Sequence, residues 1–165
     1  MRPGPSAREI VIRPATGDDR PVLEGLWREV DALHARLEPA FFQEAPGHPR
    51  SASFIAEALQ SPDQTVLLAV ASGAPVGLVH VQLYDTPPLP TMVPRRRAHI
   101  EDLVVTRSHR RRGIGRKLMA AATEWARAGG AVEIVLTVWE GNQTAGRFYH
   151  ALGYRALSRT LKIDL

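Results

Sequence analysis

The chain has no cysteine. That absence excludes disulfides and thiolate-held metals, and it removes the commonest side chain for carrying an acyl group covalently. Lysine is almost missing too: Lys117 and Lys162 are the only ones, so arginine carries the formal charge of +4. Nowhere do about 18 apolar residues run together, so no membrane helix is expected. The six histidines show neither H-x-x-x-H spacing nor a cluster, and no metal is expected. There is no internal repeat and no P-loop, and the fingerprint G-x-G-x-x-G would need glycine where Leu118 stands. Aromatics make up 6% of the chain and few lie near its arginine clusters. With no basic tail and no nucleic-acid module, this argues against a nucleic-acid partner.

What is there has the composition of an ordinary globular protein, 44% hydrophobic and 23% charged. A chain of 165 residues makes one domain that buries roughly two-thirds of its unfolded surface. Residues 1–8 are polar and hold proline and glycine, which predicts a loose tail ahead of a single domain over 9–165. The tail lacks the apolar core of a secretory signal, and a cytoplasmic location is expected. Nothing in the sequence decides between a monomer and a homodimer.

Patterning predicts a strand at 9–13, then a helix carrying Val22, Leu23, Leu26, Trp27, Val30 and Leu33 behind the turn Thr16-Gly17-Asp18-Asp19. A helix at 51–59 precedes a hairpin, 64–71 and 75–84, joined by Ser72-Gly73-Ala74. After a Pro-rich loop at 85–94 come a strand at 97–105 and a helix with Ile114, Leu118, Ala121, Ala122 and Trp125 at helical spacing. That helix stops at Gly129-Gly130. A strand at 132–138, a helix from Asn142 to near Gly153 and a last strand at 154–164 complete the order β-α-α-β-β-β-α-β-α-β. The fold class is α/β (α+β), with a mixed sheet and helices on both faces.

The most informative stretch is Arg110-Arg111-Arg112-Gly113-Ile114-Gly115-Arg116, between the apolar run Leu103-Val104-Val105 and a helix. Glycines let a backbone come close to phosphate, free N–H groups of the first helical turn point at it, and arginines add charge. Thirty residues on stands Asn142-Gln143-Thr144-Ala145-Gly146-Arg147-Phe148-Tyr149-His150-Ala151-Leu152-Gly153-Tyr154.

The string R-x-x-G-x-G resembles the acetyl-CoA motif Q/R-x-x-G-x-G/A of the GCN5-related N-acetyltransferase (GNAT) family. The second stretch is similar to the other half of that family's cofactor site, in family order. The resemblance covers about 98–154 and is looser before it. It implies a mostly antiparallel sheet whose middle strands splay, with acetyl-CoA lying between them as co-substrate. Backbone groups of Leu103, Val104 and Val105 would pair with the pantetheine arm as an added strand does. Arg110, Arg111, Arg112, Gly113, Ile114, Gly115 and Arg116 would hold the pyrophosphate, though Arg111 equally suits a position facing water. Asn142 would bond to pantetheine, or simply cap its helix; Phe148 suits the core, and Gly153 the helix end.

Within the resemblance, Tyr149 is the candidate general acid for the departing thiolate. A phenol near pKa 10 lies about 1.5 units above a thiol, so its proton must move as the C–S bond breaks. A primary amine near pKa 10.4 is almost wholly protonated at pH 7 and needs a route for its proton. His99 and Glu101, two apart on one strand, fall where the family places a base; imidazole has the better-matched pKa, and water is the other candidate. Asp102 points the other way unless a bulge shifts the register. His34, Phe41, Phe42 and the loop 85–94 would flank the acceptor. Without cysteine, transfer would run directly from acetyl-CoA to the amine of a small molecule. A protein lysine or N-terminus as acceptor, and a non-catalytic CoA-binding module, are the alternatives.

Overall fold

The computed structural model describes residues 10–47 and 50–164. The predicted tail 1–8, and Glu9 of the first predicted strand, lie outside them. Nine principal elements follow: β1 (Ile10–Pro14), α1 (Arg20–Leu37), α2 (Ala52–Gln60), β2 (Gln64–Ala71), β3 (Ala74–Asp85), β4 (Arg96–Val105), α3 (Ile114–Ala128), β5 (Glu133–Leu136) and α4 (Gln143–His150). The strands lie in chain order; β1 to β4 are antiparallel and β5 runs parallel to β4.

Alternation along the strands sorts side chains onto two faces. In β2, Leu67 and Ala69 point one way, meeting Ile114, Leu118, Met119 and Ala122 of α3. Val66 and Leu68 point the other way, against Leu23, Trp27 and Val30 of α1 and Ile55 of α2. Trp27 is fully buried, and an indole removes some 150–250 Å² from water. The β2–β3 hairpin closes through Ser72 and Gly73, both at positive φ (49° and 81°), the backbone a two-residue turn needs to match strand twist.

The turn before α1 is tied by charge. Asp19 accepts two hydrogen bonds from Arg13 at 2.7 Å each and one from Thr16 N at 2.8 Å. The guanidinium holds the Asp19 carboxyl well below the usual carboxylate range. A depressed folded pKa gives stability that is present above the unfolded value near 3.9 and lost as pH falls through the folded one. Arg13 is partly exposed, so solvent screening limits the gain. We expect Asp19→Asn to cost about 1 kcal/mol at pH 7 and less in acid, measured by urea unfolding at both pH values.

β4 carries the irregularity that matters. Against β3, His80 pairs with Asp102 but Val81 pairs with Ile100, so Glu101 is an extra residue, a β-bulge. Before it, Ala98 and Ile100 face α3; after it, Val104 faces α1 and α2. The register therefore flips at Glu101. Asp102 turns toward α1, where its Oδ2 accepts from Trp27 Nε1 at 2.9 Å.

Two expected strands differ. The one placed at 132–138 is limited to β5, Glu133–Leu136. Residues 154–164 form no strand, and Leu157, Leu161 and Ile163 stand 77%, 89% and 83% exposed. The alternation is there, but β5 offers an edge of four residues and Arg159 interrupts the apolar face. Toward its far end the segment meets the body through Lys162, whose ammonium lies 5.3 Å from the centre of the Phe41 ring.

Candidate active site

β4 and β5 pair only where residues 97–100 meet residues 133–136. From Glu101 onward β4 keeps its β3 partner on one side and has no β5 partner on the other. The splay begins at the bulge. It leaves the backbone of Leu103, Val104 and Val105 as a strand edge, the surface onto which an extended arm can add. One group there is already used: Val105 O accepts from Arg110 Nε at 2.8 Å.

At the end of β4 the chain makes a short turn, Arg107–His109, and enters the arginine-glycine loop. Arg111 (φ 63°) and Gly113 (φ 78°) both sit in the left-handed region. A Cβ on Gly113 would meet no atom within 4 Å, so the space beside it is open. Gly115 is different: a Cβ there would come within 3.2 Å of the Phe148 ring, so this glycine packs α3 against α4. The first helical bond of α3 runs from Lys117 N to Gly113 O at 3.1 Å. The amides of Ile114, Gly115 and Arg116 therefore open toward the loop. Arg110, Arg111, Arg112 and Arg116 are exposed around it, while the Ile114 side chain is core and can offer only its backbone.

α4 packs beside the start of α3, with Phe148 against Gly115. Asn142 Oδ1 accepts from Ala145 N at 3.1 Å, so it caps the helix while its Nδ2 hydrogens remain for a ligand. The helix ends with Gly153 N donating to His150 O and Tyr154 N to Tyr149 O, Gly153 taking φ 91°. The Tyr149 ring packs between Phe148 and Tyr154, 5.2 and 5.6 Å centre to centre. Its hydroxyl has no hydrogen-bond partner among the described residues. Burial pushes the Tyr149 phenol well above 10, with Tyr154 and the Asp102 carboxylate adding to the shift.

The acid–base groups meet at the bulge. His99 Nδ1 lies 3.0 Å from Glu101 Oε1, and Tyr84 OH reaches the same oxygen at 2.9 Å. The His99 bond lowers the Glu101 carboxyl below its usual value against opposing burial, with Tyr84 and His80 helping. Glu101 is thus a carboxylate at neutral pH, and a carboxylate accepts from Nδ1–H. That bond selects the His99 tautomer with a free lone pair on Nε2. The same carboxylate, after burial, lifts the Tyr84 phenol to about 12.

Beside the bulge, α1, α2 and strands β2 to β4 border an open-sided cavity of about 370 Å³. His34 and Phe42 line it, Phe41 packs at a tilt against Trp139 with ring centres 4.9 Å apart, and the loop 85–94 supplies no lining residue. Asp31, Arg50, Phe54, Glu57, Gln64 and His80 also line it, and patterning did not single them out. Arg50 donates to Asp31 at 3.1 Å and to Asp102 at 3.2 Å, and lies 5.6 and 5.2 Å from the Trp27 and Phe54 ring centres. Burial opposes ionisation of Asp102, yet His80, Arg50 and Trp27 hold its carboxyl below the usual value. A signal for the hidden polar groups did exist: His80 interrupts the apolar run Val79-His80-Val81, and Asp102 lies between Ile100 and Leu103.

An open β4–β5 fork with a glycine-arginine loop at one end and a polar cavity at the other defines an acyl-CoA-type transferase fold. The acetyltransferase (GNAT) family matches residues 27–154, and the chain belongs to it. A glucosamine 6-phosphate N-acetyltransferase of Trypanosoma brucei brucei is 36% identical over 67 residues, 41% of this chain. The match spans less than half, 44%, of that relative's length. Among solved structures, a mutant of the BH1408 protein from Bacillus halodurans superposes with a TM-score of 0.88 at 31% identity, over 94% of this chain and 99% of that one. The aminoglycoside N-acetyltransferase AAC(6')-Iy in complex with CoA shares the fold, with a TM-score of 0.72 at 18% identity over 94% and 98%. Among the described residues no helix is long and apolar enough to cross a membrane, and no group of three or more His, Asp or Glu is placed to hold a metal ion.

Proposed function

We propose that the protein transfers an acetyl group from acetyl-CoA directly to a primary amine of a small molecule. The observation that carries this reading is the bulge at Glu101, which opens the β4–β5 fork and sets the His99–Glu101 pair at its mouth. The loop residues fit a pyrophosphate: open space at Gly113, unpaired amides at the start of α3, and exposed arginines. Acetyl-CoA, when bound, supplies the thioester acetyl. The size of the cavity suits a small acceptor, and the similar proteins include enzymes named for glucosamine 6-phosphate and for aminoglycosides.

The residues then divide the work. Glu101 holds His99 in the Nδ1–H tautomer and attracts the ammonium. His99 Nε2 takes one proton from the ammonium, directly or through water, which frees the lone pair to attack; the second proton leaves to solvent once the N–C bond has formed. Tyr149 gives its proton to the sulfur as the C–S bond breaks. Arg110, Arg112 and Arg116 with the amides of Gly113, Ile114 and Gly115 hold the phosphates, at about 1.5–3 kcal/mol per charge-assisted bond. Arg111 adds charge from the rim, and the β4 edge with Asn142 Nδ2 aligns the pantetheine arm.

Gly113→Val tests the loop. Valine at a left-handed φ costs about 1–3 kcal/mol, and its methyls fill the open space beside the phosphates. We expect the melting temperature of the variant to fall modestly and its rise with acetyl-CoA to disappear, with a loss of affinity of at least about tenfold by calorimetry. A folded variant that binds acetyl-CoA normally would place the cofactor elsewhere.

A further inference from the structure

We infer that the acceptor is a di- or polyamine: the cavity binds a second ammonium group besides the one that reacts. This rests on the reading of the cavity as the acceptor site of acetyl transfer. Asp31, Glu57, Glu101 and Asp102 face a single guanidinium, Arg50. That guanidinium is already committed, bonded to both Asp31 and Asp102 and lying against two aromatic rings. Both hydrogen bonds use Nη2, and even so the four carboxylates outnumber this one cation. Glu57, exposed at the cavity rim, has no ion pair among the described residues and adds negative charge there.

Two further atoms point to what is missing. Asp31 Oδ2 is buried with no hydrogen-bond partner. His80, 2% exposed, bonds through Nε2 to Gln64 Oε1 at 3.0 Å, which makes Nε2 the donor. Its Nδ1 has no hydrogen-bond partner, lying 3.8 Å from Asp102 Oδ2 and beyond hydrogen-bond reach. Unsatisfied buried polar atoms are costly, and the Asp31 oxygen is an acceptor beside surplus negative charge. The complementary ligand is rich in N–H and carries positive charge. An ammonium has three donors and no acceptor.

The carboxylates stand on three different elements. The reacting nitrogen belongs at Glu101 and His99, on the bulge, whereas Asp31 and Glu57 project from α1 and α2. A chain with ammonium groups at both ends serves both places, and Phe42 and Phe54 offer apolar wall to the carbons between. A phosphate or carboxylate at the far end would face Asp31 and Glu57 instead. Such an acceptor is disfavoured.

The test compares three amines of similar length, 1,4-diaminobutane, its isostere 1-aminopentane, and 4-aminobutanoate, by CoA release. For the wild-type protein we expect kcat/KM to be at least about tenfold higher for the diamine than for the monoamine, the size of one charge-assisted bond. The carboxylate should be the poorest of the three. The diamine preference should shrink at high salt, and it should fall to about threefold or less in Asp31→Asn/Glu57→Gln. Equal or better turnover of the monoamine overturns the inference while leaving the acetyltransferase reading intact. So does a preference unchanged in the double variant. If none of a broad amine panel releases CoA although acetyl-CoA binds, the acetyl-transfer reading itself fails.

Discussion

His99→Ala lowers kcat/KM about 10²–10⁴-fold near neutral pH, the usual contribution of a positioned base, and the deficit narrows as pH rises toward the amine's own pKa. The sign follows from which species must lose a proton. At neutral pH nearly all of a primary amine is ammonium, so removing the acceptor of its proton is felt most there. At high pH the free amine needs no help. Glu101 is held below the normal carboxylate pKa by His99, so it is a weak base that stays ionised throughout and cannot produce a limb near neutrality. Glu101→Gln should therefore cost less than His99→Ala, since an amide oxygen can still accept from Nδ1–H. A larger loss in Glu101→Gln would make the carboxylate, through water, the acceptor. Equal losses at every pH in both variants would remove both residues from the chemistry. The check is a set of steady-state profiles from neutral pH upward, with melts of both variants alongside.

The parts of the site legible in the sequence are those written in backbone chemistry. Glycine at 113 and 115 beside arginines, in the junction between an apolar strand and an amphipathic helix, marks an anion cradle without any tertiary information. The helix faces and the β2–β3 hairpin are local patterns as well. Glu101 and Asp102 were a different matter. A regular strand puts them on opposite faces, and only pairing with β3 shows that both turn to the same side. Nothing in residues 97–105 announces a bulge, because no glycine marks it. The acceptor cavity was hidden for a related reason: Asp31, Arg50, Glu57 and His80 come from four separate segments and converge only after the sheet is covered. Residues 154–164 failed in the opposite sense, since alternation promises a strand only where an edge is available to pair with it.

Tyr149→Phe slows transfer about 10²–10⁴-fold while leaving acetyl-CoA affinity and stability nearly unchanged. The substitution is unusually clean here. The ring contacts with Phe148 and Tyr154 survive in phenylalanine, and the hydroxyl that is lost bonds to nothing among the described residues. A partnered buried hydroxyl would take about 1 kcal/mol or more with it; this one should cost within about 0.5 kcal/mol. Burial raises the phenol above its ordinary pKa of about 10, which widens its gap from a thiol near 8.5. At the reference gap of about 1.5 units, protonating a finished thiolate is already uphill by about 2 kcal/mol, and more so from a raised phenol. Tyr149 is thus useful only while the C–S bond is breaking, when the sulfur is held in place and its new charge has no other donor. An interaction confined to that moment lowers kcat and kcat/KM together and does not move the binding constant. The measurements are steady-state kinetics, acetyl-CoA calorimetry and a thermal melt on one preparation. Turnover near wild type would show that the thiolate leaves unassisted or takes its proton from water, and would reduce Tyr149 to packing.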